Sequence, residues 1–224
     1  MATFVIVHGM WSGGWFFQPI ARILRGAGHE VYTPTLTGIG EREHLGSPAT
    51  NLDTHVRDIV NVLEFEELRD VVLAGYSYGG VVATAVADRV PERVAQVVYL
   101  DAWIPRDGEA VFDLIPEQAP VFEEAARTRG DGWRIPRDPP QPRRTPHPLA
   151  TLKQPLRLSG NDASARLPRT YILFSRNSLY HAPVMARMAE EARAAGWRVL
   201  DLPADHDAPQ THPRELADML LGLA

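Results

Sequence analysis

A chain of 224 residues, 45% of them hydrophobic and 23% charged, is long enough to bury a substantial core in one domain and has the balance of an ordinary globular protein. Its formal net charge of −5 comes from interspersed acidic and basic residues, so it lacks the basic face that a nucleic-acid partner needs. The absence of cysteine excludes disulfides, thiol nucleophiles and cysteine-ligated metals and fits a cytoplasmic setting, and Lys153 is the only lysine available for a Schiff base.

The first element is the apolar run Thr3–Val7, with no basic segment ahead of it, which reads as a strand rather than a signal peptide. His29–Thr33 reads as the next strand. Leu52, Val56, Ile59, Val60 and Leu63 then recur with helical period, with Asp53 near the start of that helix. Asp70–Ala74 is a near-continuous apolar run, the pattern of a central strand covered on both faces. Gly80–Arg89 follows as a small-residue helix that stops near Pro91, and Val94–Leu100 as another buried strand.

From Pro105 to residue 168 the character changes. A helical piece at Val121–Arg127 gives way to a stretch from Pro136 to Pro155 that holds seven of the nineteen prolines, which forbids regular helix or central strand. Strand character returns at Thr170–Phe174, followed by a helix over Pro183–Ala195, a strand at Arg198–Leu202 and a closing helix at His212–Leu221. Alternating strands and helices predict the α/β class, a mostly parallel sheet flanked by helices. Residues 1–104 and 169–224 are expected to form its body, and 105–168 an insertion serving as a stiff, extended lid. No apolar stretch reaches the roughly 20 residues that span a bilayer, so no membrane partner is expected. The sequence leaves the oligomeric state open.

The segment Val71-Val-Leu-Ala-Gly75-Tyr-Ser77-Tyr-Gly79-Gly80 carries G-x-S-x-G between a predicted strand and a predicted helix. A serine on so tight a turn leaves no room for side chains two residues to either side, and glycine at 75 and 79 supplies that room. The turn lifts Ser77 Oγ clear of the sheet and aims the next helix's N-terminus at it, where free amides favour developing negative charge. Ser77 is therefore the candidate nucleophile, and the backbone N–H of Tyr78 one candidate oxyanion donor.

These residues, with Val5-Ile-Val-His8-Gly9-Met10-Trp11, Gly13-Gly14-Trp15, Val98-Tyr-Leu100-Asp101-Ala-Trp-Ile-Pro105 and Asp205-His206-Asp207, resemble the α/β-hydrolase superfamily. The resemblance is to its branch of plant-type methylesterases and hydroxynitrile lyases. It implies a second oxyanion donor at the backbone N–H of Met10, with His8 shaping the loop. It also implies a general base in the loop after the last strand. Of the eight histidines, His206 stands there, four residues beyond Arg198–Leu202. His55 and His181 fall on or beside predicted helices, where ordinary polar roles are expected, and His212 opens the closing helix. In such relatives the acid usually follows the strand at Thr170–Phe174, but the loop here reads Ser175-Arg-Asn177-Ser178 and holds no carboxylate. Asp101, after Val94–Leu100, is the candidate acid. A dyad aided by Asn177 or Ser178, or a role for Asp205, stays open.

A serine, a histidine and an oxyanion hole imply attack on an activated carbonyl, with an acyl-enzyme that water resolves. No cofactor or metal is implied. Trp11, Tyr76, Tyr78, Trp103 and His44 are candidates to line an apolar pocket, and a small-molecule ester, a methyl ester or a lactone among them, is the expected substrate. The lyases of this branch carry lysine beside the catalytic histidine and threonine after His-Gly, where this chain has Asp207 and Met10. A cofactor-free dioxygenase and a non-catalytic binding protein on the same scaffold are the remaining alternatives.

Overall fold

The computed structural model describes residues 1–224. The first half runs β1 (Thr3–Val7), α1 (Gln18–Gly26), β2 (Glu30–Tyr32), α2 (Leu52–Phe65), β3 (Val71–Tyr76), α3 (Gly79–Arg89) and β4 (Val94–Leu100). The insertion holds α4 (Val111–Leu114), α5 (Ala119–Arg129), β5 (Arg134–Ile135), β6 (His147–Pro148), α6 (Ala150–Lys153) and α7 (Asp162–Ala165). The chain then returns through β7 (Arg169–Phe174), α8 (Ala182–Ala194), β8 (Arg198–Leu202), α9 (Ala208–Thr211) and α10 (Pro213–Leu221).

Six strands form one sheet in the order β2-β1-β3-β4-β7-β8, and every neighbouring pair is parallel. Its two faces follow from strand periodicity. Val5, Val7, Leu73, Val97 and Tyr99 point to one side, into a core closed by α2, α3 and α8. Phe4, Ile6, Val72, Ala74 and Val98 point to the other, into a core closed by α1 and α10. With both faces covered, all six residues of β3 are buried, as its unbroken apolar run demands. On α2 the inward stripe is Leu52, Val56, Ile59 and Leu63. Asn51 caps this helix by accepting from the Thr54 amide at 3.1 Å, an arrangement worth about 1 kcal/mol. No helix is long and apolar enough to cross a membrane.

Proline density led us to expect an extended lid, yet its largest element is the 11-residue helix α5. The proline-rich stretch links the two strands of the small antiparallel hairpin β5–β6. It is pinned to the body, since Trp11 Nε1 donates to Ile135 O at 2.8 Å and the Thr145 amide to Trp11 O at 3.2 Å.

Between β3 and α3 the chain reverses within a few residues, and Ser77 takes a left-handed backbone with φ of +53°. The turn is possible only because a Cβ on Gly75 would lie 2.4 Å from the Gly79 carbonyl oxygen, and one on Gly79 only 2.3 Å from that of Val7. The Ser77 amide donates to Leu100 O at 3.2 Å and the Trp103 amide to Ser77 O at 3.1 Å, so the turn is bonded to the end of β4. Gly79→Ala must push β1 away and is expected to cost about 3 kcal/mol. Gly26→Ala, at the end of α1 where an added Cβ meets nothing within 4 Å, is expected to be neutral or stabilising by about 0.5 kcal/mol. Urea denaturation of the two variants checks the contrast, and equal midpoints would contradict the packing at the turn.

Candidate active site

Three segments deliver three buried side chains to the carboxyl ends of the central strands. Ser77 Oγ lies 3.1 Å from His206 Nε2, and His206 Nδ1 lies 2.7 Å from Asp101 Oδ2. Asp101 has no solvent exposure, and its backbone is left-handed with φ of +44°. Besides His206, it accepts from Asn177 Nδ2 at 2.7 Å and from the Phe174 amide at 3.3 Å. With Nδ1 donating to this carboxylate, Nε2 is the acceptor that faces the Ser77 hydroxyl.

The other candidates for an acid lie elsewhere. Asn177 bonds the carboxylate rather than the imidazole, Asp205 accepts from Thr211 Oγ1 at 3.2 Å, and Ser178 is exposed in the loop after β7. Tyr76, read from sequence as a pocket residue, does double duty. One edge meets the cavity, while the buried ring stacks on His206 with centroids 4.8 Å apart. Its hydroxyl donates to the His206 carbonyl at 2.7 Å, so His206 is held by ring and backbone together.

The amides of Met10 and Tyr78 donate to no protein acceptor. The loop carrying Met10 runs directly against the serine, since a Cβ on Gly9 would stand 2.9 Å from Ser77 Cβ. The side chain of Tyr78, expected at the pocket, turns instead into the core. Its hydroxyl donates to His55 Nδ1 at 2.9 Å, and His55 Nε2 donates to Thr37 O at 2.8 Å. His8 accepts from the Leu36 amide at 3.0 Å and donates to Gly9 O at 2.8 Å, which fixes the loop ahead of Met10. His147 packs edge-on to Tyr78 at 4.8 Å. His55 and His147, both fully buried, thus pack against the Tyr78 side chain.

A cavity of about 400 Å³ opens over Ser77 and His206. Trp11, Trp103, Phe122 and Tyr180 supply its aromatic wall, with Val121 and Leu179 at the rim. Arg137 stands over the Trp11 ring at 5.4 Å, while Arg144 pairs with Asp207 at 3.0 Å. His44, the remaining pocket candidate, is exposed on the turn Gly40–Leu45 and does not reach the cavity. The insertion's hairpin lies over that turn, with Arg134 paired to Glu43 at 2.9 Å and Trp133 against Gly46. Donor atoms of Asp101, His181 and His206 lie within 4.8 Å of one another. Two of these residues already bond each other and Ser77, so they offer no free ligand set for a metal.

Residues 4–219 match the family described as Alpha/beta hydrolase family. The chain belongs to that α/β-hydrolase family. It is 38% identical to a carbendazim hydrolyzing esterase of Nocardioides sp. (strain SG-4G), with all of both chains covered. It is 30% identical to methylesterase 10 of Arabidopsis thaliana, over 51% of this chain and 42% of that protein. Among solved structures, an extracellular α/β-hydrolase from a Paenibacillus species superposes with a TM-score of 0.85 at 23% identity, covering 99% of this chain and 98% of that one. Its description gives it structural and functional homology to tobacco salicylic acid binding protein 2.

Within this α/β-hydrolase, Phe122, Arg137, Tyr180 and His181 line the cavity without having been singled out by sequence reasoning. Phe122 and Ala125 sit on the inward stripe of α5, a periodic signal already present in Val121–Arg127. The other three face the cavity only because of how the loops around them pack.

The buried histidines tie stability to pH. Burial, opposed by the bonds to Gly9 and Thr37, lowers His8 and His55 to about 4, and burial takes His147 well below its ordinary value too. The folded protein keeps them neutral, whereas the unfolded chain protonates them below about 6.5. Between pH 6.5 and 4 the unfolded state therefore binds more protons, and stability falls as pH falls through that window. Unfolding free energies measured by urea titration from pH 7.5 to 4.5 are expected to show this decline, and His55→Gln to make it shallower. A profile that His55→Gln does not alter would contradict the assignment.

Proposed function

We propose that this α/β-hydrolase is a serine carboxylesterase that cleaves a small or medium ester, with an aromatic or apolar portion, through an acyl-enzyme on Ser77. The observation that carries the reading is the unbroken hydrogen-bonded path from Asp101 through His206 to Ser77, ending in a cavity beside two unpaired amides. The full-length likeness to an esterase and the shorter one to a methylesterase support ester hydrolysis.

In this reading His206 Nε2 takes the Ser77 proton as Oγ attacks the ester carbonyl carbon. Negative charge gathers on the carbonyl oxygen, where the Met10 and Tyr78 amides receive it. Such a donor is typically worth about 10²–10³ in rate. His206 returns the proton to the departing alcohol oxygen. Water then enters, gives a proton to the same nitrogen and attacks the acyl carbon, which frees the acid and restores Ser77. Asp101 holds the imidazole with Nδ1 protonated and stabilises its cationic form at each step. The cavity of about 400 Å³ falls in the range of small-ligand sites, and its aromatic wall suits a flat or apolar group. Asp207 is engaged by Arg144, and no lysine stands beside His206 of the kind the related lyases carry.

The test is a panel of p-nitrophenyl and methyl esters, with carbendazim included because the Nocardioides relative is named for hydrolysing it. The wild type is expected to release acid from part of the panel and to take one phosphonate adduct at Ser77. Ser77→Ala is expected to lower kcat by about 10⁶ and Asp101→Asn by about 10⁴. Wild type without turnover or adduct would sink the proposal, and oxygen uptake without acid release would turn it toward a dioxygenase. Asn177→Ala removes one donor from Asp101 and is expected to lower kcat about tenfold with little change in KM. An unchanged kcat would show that Asn177 does not hold the acid in place.

A further inference from the structure

Resting on that esterase reading, we propose that His181 is a specificity-determining residue that hydrogen-bonds a polar atom on the alcohol side of the ester. His181 precedes α8, at the back of the cavity, and is only 4% exposed. Neither Nδ1 nor Nε2 has a hydrogen-bond partner. A buried polar atom left unsatisfied costs about 1–3 kcal/mol, so native proteins rarely keep two on one ring without a use for them. Trp103, edge-on to His181 at 5.7 Å on the same wall, likewise buries an indole N–H with no acceptor. Of the other buried histidines, His147 leaves only Nδ1 unpartnered, its Nε2 being bonded to Thr151 Oγ1 at 2.8 Å. His8 and His55 have both nitrogens bonded inside the protein.

Position then says which part of a substrate these atoms meet. The His181 ring stands 4.3 Å from that of His206. His206 Nε2 is the atom that hands a proton to the departing oxygen, so the group lying against this ring is the alcohol portion. The carbonyl oxygen is drawn to the Met10 and Tyr78 amides instead. Burial, reinforced by His206, holds His181 neutral, far below its ordinary pKa. A neutral imidazole offers one N–H donor and one acceptor nitrogen. It pairs with a hydroxyl, an amide or a heterocyclic nitrogen, and a plain alkyl alcohol leaves it unpaired. The substrate class that follows is an ester whose leaving group carries such an atom close to the ester oxygen.

Propyl benzoate and 2-hydroxyethyl benzoate share an acyl group and a shape, and differ by one terminal atom. The wild type is expected to favour the hydroxyethyl ester in kcat/KM by about tenfold, the worth of one hydrogen bond. His181→Phe, which keeps a ring and removes both nitrogens, is expected to bring that ratio to about 1, and His181→Gln to restore part of it. A residue that only packs between Trp103 and Tyr180 would lower both esters together and leave the ratio unmoved. His181→Leu gives the same reading should the phenylalanine variant fail to fold. Turnover of both esters with a ratio near 1 in the wild type, or a ratio unchanged in the variants, overturns the assignment and leaves the esterase reading standing. No turnover of either ester by the wild type overturns both.

Discussion

A fully buried carboxylate is tolerable only where donors surround it, because the cost of stripping water from the charge is several kcal/mol. Asp101 obtains its donors from three places in the chain: His206 after β8, Asn177 after β7, and the amide of Phe174 at the end of β7. Meeting that demand draws the ends of β4, β7 and β8 to one point. The same region is bonded to the serine turn, through Ser77 N to Leu100 O and Trp103 N to Ser77 O. Tyr171 closes it from below, its hydroxyl bonded to both the amide and the carbonyl of Ala102. Ser77, His206 and Asp101 are thus parts of one packed unit, and residues of the insertion line the cavity above it.

How much of this can be read from the residues depends on whether a local rule or a tertiary one places each group. Gly75 and Gly79 are legible because the backbone approach they permit admits no other residue. The strands are legible because a sheet buried on both faces needs continuous apolar runs, and their ends shift by only a residue or two. β3 runs on to Tyr76 because Gly75 and Tyr76 pair with Tyr99 and Leu100. His206 is legible through the family resemblance, which expects a base in the loop after the last strand. By contrast, Asn177 looked like an empty place in the loop after β7, and only the fold brings its amide to Asp101. His44 and Tyr78 went astray for a related reason. The loop that holds His44 is capped by the distant hairpin, and Tyr78 finds a hydroxyl partner in His55, 23 residues earlier in the chain.

The two sides of the serine are built from different materials. On the core side, His8 and His55 bond both ring nitrogens inside the protein, and His55 and His147 pack against the Tyr78 side chain. In front, the cavity wall comes from the insertion and from the loop before α8, and it carries polar atoms with nothing to bond. The loop after β7 carries no carboxylate. Here Asp101 accepts the imidazole from β4, and that loop brings Asn177 to the carboxylate and Tyr180 and His181 to the cavity. The unpartnered atoms of His181 and Trp103 lie on the cavity side of the serine.

Tyr76 stands immediately before Ser77, and its hydroxyl grips the backbone of His206. The spacing of Ser77 Oγ and His206 Nε2 is therefore anchored by Tyr76, rooted in the central strand, together with Asp101 at the end of β4. Mechanical slack in the C-terminal elements has to pass through those two contacts before it can alter the spacing. Fraying at the edge of the molecule and failure of the chemistry are in this way uncoupled.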